Sequence, residues 1–286
     1  MRQETLKLLR CPNSCTNALE LETLDAQKGR IITGFIHCVG CSSRFPIEEG
    51  ILRMMPKHLH DQQVTPAHDE ATRKQKMEMA ARDNEADDYD KMKNLRLFGK
   101  VEIPYTLKQM KLRPNHVLLE AGCGTGRMTR IFAPKCKSII AVDFSIESLR
   151  RCQRKLERDG TKNVDLIQAD NCALPILSEV FDVAVSCGVL EHVPTHNGRA
   201  MMVSEMARTS KPRSTVVISA YKHSLYTRLF GSKEGEHRTG IYYFRFHKPE
   251  LHKLLSEHLD VDGVSGVLMY YFTARCKRRT HPGRNH

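Results

Sequence analysis

The stretch of residues 117–127 most constrains the fold, because an apolar run there meets three closely spaced glycines. Val117-Leu-Leu is typical of a parallel strand that is covered on both faces. Gly122, Gly124 and Gly126 leave no side chains where the backbone must turn tightly and come close to a ligand. The pattern predicts a strand that turns into a helix. Such a turn can hold a nucleotide-like cofactor, although ordinary strand–helix turns share the pattern.

A second apolar strand, Ile139-Ile-Ala-Val-Asp143, ends in a carboxylate about twenty residues further on, where dinucleotide-binding folds place the acid that binds the ribose. One carboxylate can accept hydrogen bonds from both ribose hydroxyls. We therefore expect Asp143 to bind a ribose. The alternative is that it caps the helix that begins near Ser145.

Strands and helices alternate along the rest of the chain. The predicted strands are 117–121, 138–143, 164–168, 181–186 and 215–220, and the predicted helices are 101–112, 125–134, 146–159, 196–209 and 249–258. Such alternation predicts a parallel sheet with helices on both faces, and right-handed crossovers bring the carboxyl ends of the strands to one edge. The sequence therefore predicts an α/β fold with its site at that edge.

Four segments, in this order, carry a resemblance to a known family. They are residues 119–126 (LEAGCGTG), 142–145 (VDFS), 168–171 (QADN) and 181–192 (FDVAVSCGVLEH). Together they resemble a class I S-adenosylmethionine-dependent methyltransferase over roughly residues 95–273, more than half of the chain. The resemblance implies a seven-stranded, mostly parallel Rossmann-like sheet, S-adenosyl-L-methionine as cofactor and S-adenosyl-L-homocysteine as product.

The same resemblance implies which residues hold the cofactor. Asp170 and the two residues after it match the family's adenine-binding turn, unless they form a turn without a ligand. Cys187 would present its backbone near the methionine, and its thiol is not expected to be a nucleophile. The expected cofactor contacts are Tyr89, Glu120, Gly122, Gly124, Gly126, Arg127, Asp143, Phe144, Asp170, Asn171, Cys172 and Cys187.

Tyr89 belongs to a stretch, residues 70–93, that lacks Pro and Gly and is rich in good helix formers. Residues 81–90 resemble the helix that precedes many class I domains and folds over the cofactor. By that resemblance Tyr89 contacts the methionine end of the cofactor. The alternative is a solvated, charged helix on which Tyr89 packs.

Glu191 and His192 follow the fourth strand, at the same edge of the sheet. Methyl transfer from a sulfonium brings its own leaving group, so a protein mainly aligns the acceptor and removes its proton where needed. His192 is the candidate general base, because an imidazole titrates near neutral pH. A structural histidine in that loop is the alternative.

Four cysteines near the N-terminus are grouped two and two, Cys11 with Cys15 and Cys38 with Cys41. This grouping suits tetrahedral zinc, while buried or incidental thiols are the alternative. Residues 6–11, 38–51 and 54–56 resemble a small zinc-ribbon family that includes the activator subunit of several RNA and protein methyltransferases. We predict a structural zinc with no open coordination position, because so short a unit builds little core.

The predicted division of the chain is a zinc-ribbon-like domain at 1–60, a linker and cofactor-covering helices at 61–113, and a methyltransferase domain at 114–286. An insertion at about 221–247 interleaves aromatic residues with Lys, Arg and His. It can stack bases beside phosphates, line a pocket for a ring-bearing metabolite, or pack as a strand with Tyr242, Phe244 and Phe246 on one face.

The formal net charge is +12, and half of this excess lies in residues 220–286, which carry 12 basic and 6 acidic groups. The charge and the zinc ribbon favour RNA, either tRNA or rRNA, as the methyl acceptor. A small-molecule acceptor is the alternative, and a non-catalytic binding module is a third hypothesis. Ten cysteines, no apolar signal core and no long apolar run predict a cytoplasmic protein without disulfides or membrane association.

Overall fold

The computed structural model describes residues 1–15, 18–60, 69–89, 91, 93–237 and 239–280. In chain order its elements are β1 (Leu19–Gln27), β2 (Arg30–Cys38), β3 (Arg44–Glu48), β4 (Ile51–Arg53), α1 (Lys57–His60), α2 (Glu70–Tyr89), α3 (Lys93–Met110), β5 (Val117–Ala121), α4 (Thr129–Phe132), β6 (Ser138–Asp143), α5 (Ile146–Arg158), β7 (Val164–Gln168), β8 (Phe181–Cys187), α6 (His196–Thr209), β9 (Ser210–Tyr221), α7 (Leu225–Phe230), β10 (Glu234–Glu236), β11 (Tyr242–Phe244), α8 (Lys248–Ser256), β12 (Leu259–Val267) and β13 (Tyr271–Arg278).

Seven of these strands form the expected mostly parallel sheet, in the order β7-β6-β5-β8-β9-β13-β12. β7, β6, β5, β8 and β9 are parallel to one another, and β13 runs antiparallel to both of its neighbours. The α/β fold predicted from the sequence is therefore confirmed. β5 lies between β6 and β8, so the chain reverses its direction of winding there, and ligands bind at such a switch point in open sheets.

The four N-terminal strands continue this sheet, because β4 pairs in parallel with β7 through Leu52 and Ile167. The fully buried carboxylate of Asp165 on β7 accepts hydrogen bonds from Arg2 Nε at 2.8 Å and from Arg30 at 2.9 Å. Hydrogen bonds therefore cross the boundary predicted at residue 60, and the division into domains stays a prediction.

The two faces of the sheet bury separate apolar clusters. One cluster contains Phe45 and Ile47 of β3 together with Phe181 of β8 and Leu255 of α8. The other packs α4 and α5 against the opposite face, with Phe132 fully buried. Because the first cluster contains residues from both ends of the chain, the N-terminal strands share a core with the methyltransferase sheet.

Two predicted helices differ in extent from the observed ones. The helix expected at 125–134 is limited to α4 and one 3-10 turn, Ala133–Lys135, because Gly124 and Gly126 hold the preceding loop at φ values of 52° and 79°. The helix expected from 101 begins earlier, at Lys93, and continues through Pro104.

The start of helix α5 shows whether Asp143 caps that helix. The hydroxyl of Ser145 accepts from Ser148 N–H at 3.1 Å and is the N-cap. Asp143 therefore does not cap α5, and its carboxylate faces the loop after β5. Among the described residues, no helix is long and apolar enough to cross a membrane.

Candidate cofactor-binding site

A cavity lies at the carboxyl ends of β5 to β8, beneath α2. It holds about 1130 Å³ of empty space, part of which is open to solvent. Its lining includes ten residues predicted from the sequence. They are Glu120, Gly122, Gly124, Arg127, Asp143, Phe144, Asp170, Asn171, Cys172 and Cys187. His192 lines the same cavity, so the parallel-sheet rule correctly placed residues from four separate segments together.

Two of the three glycines have distinct physical tasks. A Cβ on Gly124 would meet nothing within 4 Å, since this residue faces the cavity and lets a ligand approach the backbone. A Cβ on Gly126 would lie 2.5 Å from Cys152 Sγ of α5, so Gly126 permits close packing and does not line the cavity. The sequence did not distinguish these two tasks.

Asp143 holds two turns of the site together. Its Oδ2 accepts from Gly124 N–H at 2.7 Å, and its Oδ1 accepts from Ser145 N–H at 3.0 Å. Burial raises the pKa of this carboxyl above its ordinary value, with the two N–H donors acting in the opposite direction. Each oxygen retains a further lone pair, which is what binding of two ribose hydroxyls requires.

The turn after β7 offers hydrogen-bond acceptors. Asp170 Oδ1 accepts from Cys172 N–H at 2.9 Å, and its Oδ2 accepts from Gln75 of α2 at 3.3 Å. Asn171 Oδ1 is buried without a hydrogen-bond partner among the described residues. A buried acceptor of this kind is costly unless a ligand donates to it, and the exocyclic amine of adenine is a suitable donor.

Glu120 and Arg127 flank the glycine turn, as predicted. Arg127 pairs with the buried carboxylate of Glu102 on α3 at 3.0 Å. Glu120 is 5% exposed, and within the described part of the chain its Oε2 has no hydrogen-bond partner. Burial raises the pKa of Glu120 to about 8. A cationic ammonium group, such as the one on the methionine end of the cofactor, would offset this cost.

This shifted carboxyl predicts proton release on cofactor binding. At pH 7 a group with a pKa of about 8 is mostly protonated, and a neighbouring ammonium favours the carboxylate. Calorimetric titration with S-adenosylhomocysteine, in buffers of different ionisation enthalpy, should show release of up to about one proton per ligand. Without ligand, the stability that Glu120 contributes is present below pH 4.5 and is lost as the pH rises through about 8.

The matched control for this titration is Glu191. Burial raises its pKa to about 8 too, but its carboxyl does not line the cavity. Glu120→Gln should abolish the proton release, and Glu191→Gln should retain it. Binding without proton release in the unsubstituted protein would contradict the role of Glu120.

His192 is held in one tautomer. Its Nδ1 lies 2.7 Å from the carbonyl oxygen of Tyr242, so Nδ1 carries the proton that it donates and Nε2 keeps a lone pair. Burial lowers the pKa of His192 well below its ordinary value, so the ring is neutral near pH 7. Tyr242 N–H in turn donates to Glu78 Oε2 at 3.0 Å, which connects His192 to α2.

Helix α2 covers the cavity through polar contacts that the sequence analysis missed. Glu78 and Arg82 form an ion pair at 3.1 Å, and Asp83 accepts from the Ser145 hydroxyl at 2.6 Å. Gln75, Glu78, Arg82 and Glu85 all line the cavity. These four residues recur every three or four positions, which places them on one helix face and is the signal that could have revealed them. The side chain of Tyr89 lies outside the described residues.

The four N-terminal cysteines lie together, with their sulfur atoms all within 4.8 Å of one another. The Cys11–Cys41 and Cys15–Cys38 sulfur pairs are 3.6 and 3.3 Å apart, which is too long for a disulfide. Four thiolates around a tetrahedral zinc, each roughly 2.3 Å from the metal, would lie roughly 3.8 Å apart. The cluster therefore fits a structural zinc that has four protein ligands and no open position.

Comparison with known proteins shows what this chain is similar to in sequence and in fold. Residues 118–213 match the family model described as a methyltransferase domain. In structure, the chain is similar to 1,6-didemethyltoxoflavin-N1-methyltransferase from Burkholderia thailandensis, with a TM-score of 0.61, 16% identity, and coverage of 91% of this chain and 99% of that one. The fold is therefore the Rossmann-like α/β fold of such methyltransferases, and the cavity lies at the carboxyl ends of its strands, where open sheets bind ligands.

Two curated relatives are similar in sequence. The chain is 32% identical over 105 residues to tRNA (carboxymethyluridine(34)-5-O)-methyltransferase of Arabidopsis thaliana, covering 37% of this chain and 24% of that protein. It is 30% identical over 142 residues to demethylmenaquinone methyltransferase of Lactococcus lactis, covering 48% and 55%. The chain thus spans between about a quarter and about half of these relatives.

Proposed function

We propose that this protein transfers a methyl group from S-adenosyl-L-methionine to an acceptor that enters beside His192. The observation that carries the proposal is the convergence, in one cavity, of Asp143, Asp170, Asn171 and Glu120, whose acceptor atoms match the ribose, adenine and ammonium groups of that cofactor. The bound cofactor supplies the electrophilic methyl group.

The protein's own residues orient the reactants and exclude water. The strand ends hold the nucleoside part, while α2 closes the cavity from the other side. His192 Nε2 would accept a proton from an acceptor that loses one on methylation, because Nδ1 donates its own proton to the carbonyl of Tyr242 and Nε2 keeps a lone pair. Glu191, the residue before His192, is buried, and burial raises its pKa to about 8.

A small, ring-bearing acceptor is the first candidate. Five carboxyl groups line the cavity and only two arginines do, so the cavity offers few cations to bind a phosphate group inside it. The ring of His192 lies 5.4 Å from that of Tyr221 and 6.0 Å from that of His237. Tyr243 extends this aromatic group, at 4.8 Å from His237. Of these rings, His192 lines the cavity, so a planar acceptor that enters there would lie beside this aromatic group.

RNA is the second candidate. Its support is the similarity to a tRNA methyltransferase of Arabidopsis thaliana and to the human protein named "Probable tRNA methyltransferase 9B", together with the basic C-terminal quarter of the chain. A base turned out of an RNA strand would place only its ring in the cavity, with phosphates outside.

Labelled methyl transfer into fractionated cell extract would separate the two candidates. Label in a small-molecule fraction that resists nuclease supports the first, and label lost on nuclease treatment supports the second. No transfer into any fraction, combined with failure to bind S-adenosylhomocysteine in calorimetry, would contradict the proposed function and leave the non-catalytic binding module.

Replacement of His192 tests its proposed role as a base. His192→Asn keeps a donor at the Nδ1 position for the Tyr242 carbonyl but removes the imidazole lone pair. We expect turnover to fall by about 100-fold or more, while affinity for S-adenosylhomocysteine changes by less than about threefold. Unchanged turnover would leave His192 as a structural residue.

Glu78→Ala is the control for this variant. It removes the partner of Tyr242 N–H but leaves the imidazole in place. Turnover should therefore fall less than in His192→Asn, because the same base remains.

A further inference from the structure

A group of exposed apolar side chains lies at the edge of the sheet that carries the cavity. Of the ten large hydrophobic side chains exposed in the described part of the chain, five belong to α7 and to the turn between β12 and β13. We call these five residues the α7 patch. They are Leu225, Tyr226, Leu229, Leu268 and Met269, which are 75%, 47%, 76%, 39% and 52% exposed.

The members of the α7 patch are neighbours in space. Leu225 and Leu229 are four residues apart on one helix, so they share a face. Lys222 N–H, just before α7, donates to the carbonyl of Tyr270 at 2.7 Å. Leu268 and Met269 immediately precede Tyr270, so the turn between β12 and β13 lies beside the start of α7. Exposed apolar side chains grouped at one place in a fold are candidates for a binding surface.

Helix α7 belongs to a segment of the chain with a net positive charge. Residues 221–256 carry seven Lys or Arg and three Glu. One of the glutamates, Glu250, is already paired with Lys233 at 2.9 Å. Arg228 lies on α7 itself, with its guanidinium 2.9 Å from His247. Exposed leucines on a segment with a net positive charge complement a partner that is both apolar and anionic.

The α7 patch begins beside the cavity. Tyr221, the last residue of β9, lies 5.4 Å from the ring of His192, and α7 starts four residues later. A partner bound to the α7 patch would therefore lie next to the acceptor side of the site.

We propose that the α7 patch docks the protein on an anionic lipid surface, which departs from the expectation, drawn from the sequence, of no membrane association. The leucines would enter the boundary between headgroups and acyl chains, while Lys222, Arg228 and their basic neighbours bind the headgroups. Four of the five side chains are aliphatic and have no π-face on which a base can stack, and this favours lipid over RNA as the partner. Vesicle binding requires neither cofactor nor methyl transfer, so it is independent of the proposed function.

Co-sedimentation of the full chain with vesicles tests the proposal. The protein should bind phosphatidylcholine vesicles that contain about one third phosphatidylglycerol and should not bind pure phosphatidylcholine, and salt at about 0.5 M should weaken binding. The double variant Leu225→Asp/Leu229→Asp should bind at least about tenfold more weakly. The matched control is Leu24→Asp, an exposed leucine on β1 at the opposite end of the sheet, which should bind like the unsubstituted protein.

Three results would overturn the proposal. The first is that the unsubstituted protein does not bind anionic vesicles. The second is that Leu24→Asp weakens vesicle binding as much as the double variant does. The third is that a tRNA fragment competes with vesicles for the protein and that the double variant no longer binds this fragment. Calorimetry with S-adenosylhomocysteine should show equal affinity in all variants, which establishes that they fold. Failure of that binding in the unsubstituted protein would instead contradict the proposed function.

Discussion

Replacement of Cys38 by Ser is expected to remove zinc from the N-terminal cluster and to lower the free energy of unfolding by about 5 kcal/mol or more. Cys38 ends β2 and is buried, and β2 to β4 join the main sheet through β7. Loss of the metal therefore removes the constraint that orders this edge of the sheet. Zinc content by elemental analysis and urea unfolding followed by circular dichroism would measure the two effects.

The control for Cys38→Ser is Cys136→Ser. Cys136 is a buried thiol outside the cluster, and its Sγ donates to the carbonyl of Phe132 at 3.5 Å. This variant should keep one zinc per chain. A metal-free protein with the same unfolding free energy as the metal-loaded protein would contradict the assignment of a structural zinc.

Asp143→Ala is expected to weaken binding of S-adenosylhomocysteine by at least about 100-fold. Both carboxylate oxygens already order the loop through Gly124 and Ser145, and each is proposed to accept from a ribose hydroxyl. Hydrogen bonds to a charged group contribute about 1.5–3 kcal/mol each, so loss of two exceeds a 100-fold change. Isothermal titration calorimetry measures the change directly.

Asp182→Ala is the matched control for Asp143→Ala. Asp182 lies on β8, pairs with Lys211 at 2.7 Å, and does not line the cavity. Its loss should reduce stability without changing the affinity for S-adenosylhomocysteine. Equal affinity in Asp143→Ala and the unsubstituted protein would remove Asp143 from the cofactor site.

Most of the cofactor cavity could be predicted from local patterns, for a physical reason. A parallel sheet with right-handed crossovers brings the carboxyl ends of its strands to one edge, so Asp143, Asp170 and Cys187 had to meet once their strands were recognised. The spacing of the cysteines likewise predicted a cluster, because two closely spaced pairs of cysteines are a common ligand pattern of zinc sites. The structure brings the four sulfur atoms together.

The cover of the cavity could not be predicted in the same way. Helix α2 has mostly polar residues, so its sequence is equally consistent with a solvated helix. Glu78 is buried, and its carboxylate accepts a backbone hydrogen bond from Tyr242, which is 164 residues away in the chain. No periodicity in either segment encodes that contact.

By itself the sequence determined the α/β class, the positions of the strand ends and the four clustered cysteines. These features depend on residue spacing within short segments, which the backbone converts directly into geometry. Only the tertiary structure decided that β4 pairs with β7, that Gly126 packs on Cys152 and does not face the cavity, and that α2 closes the site. Each of these features depends on packing between segments that are far apart in the chain. The residue pattern within one segment does not specify which surface of the other segment it contacts.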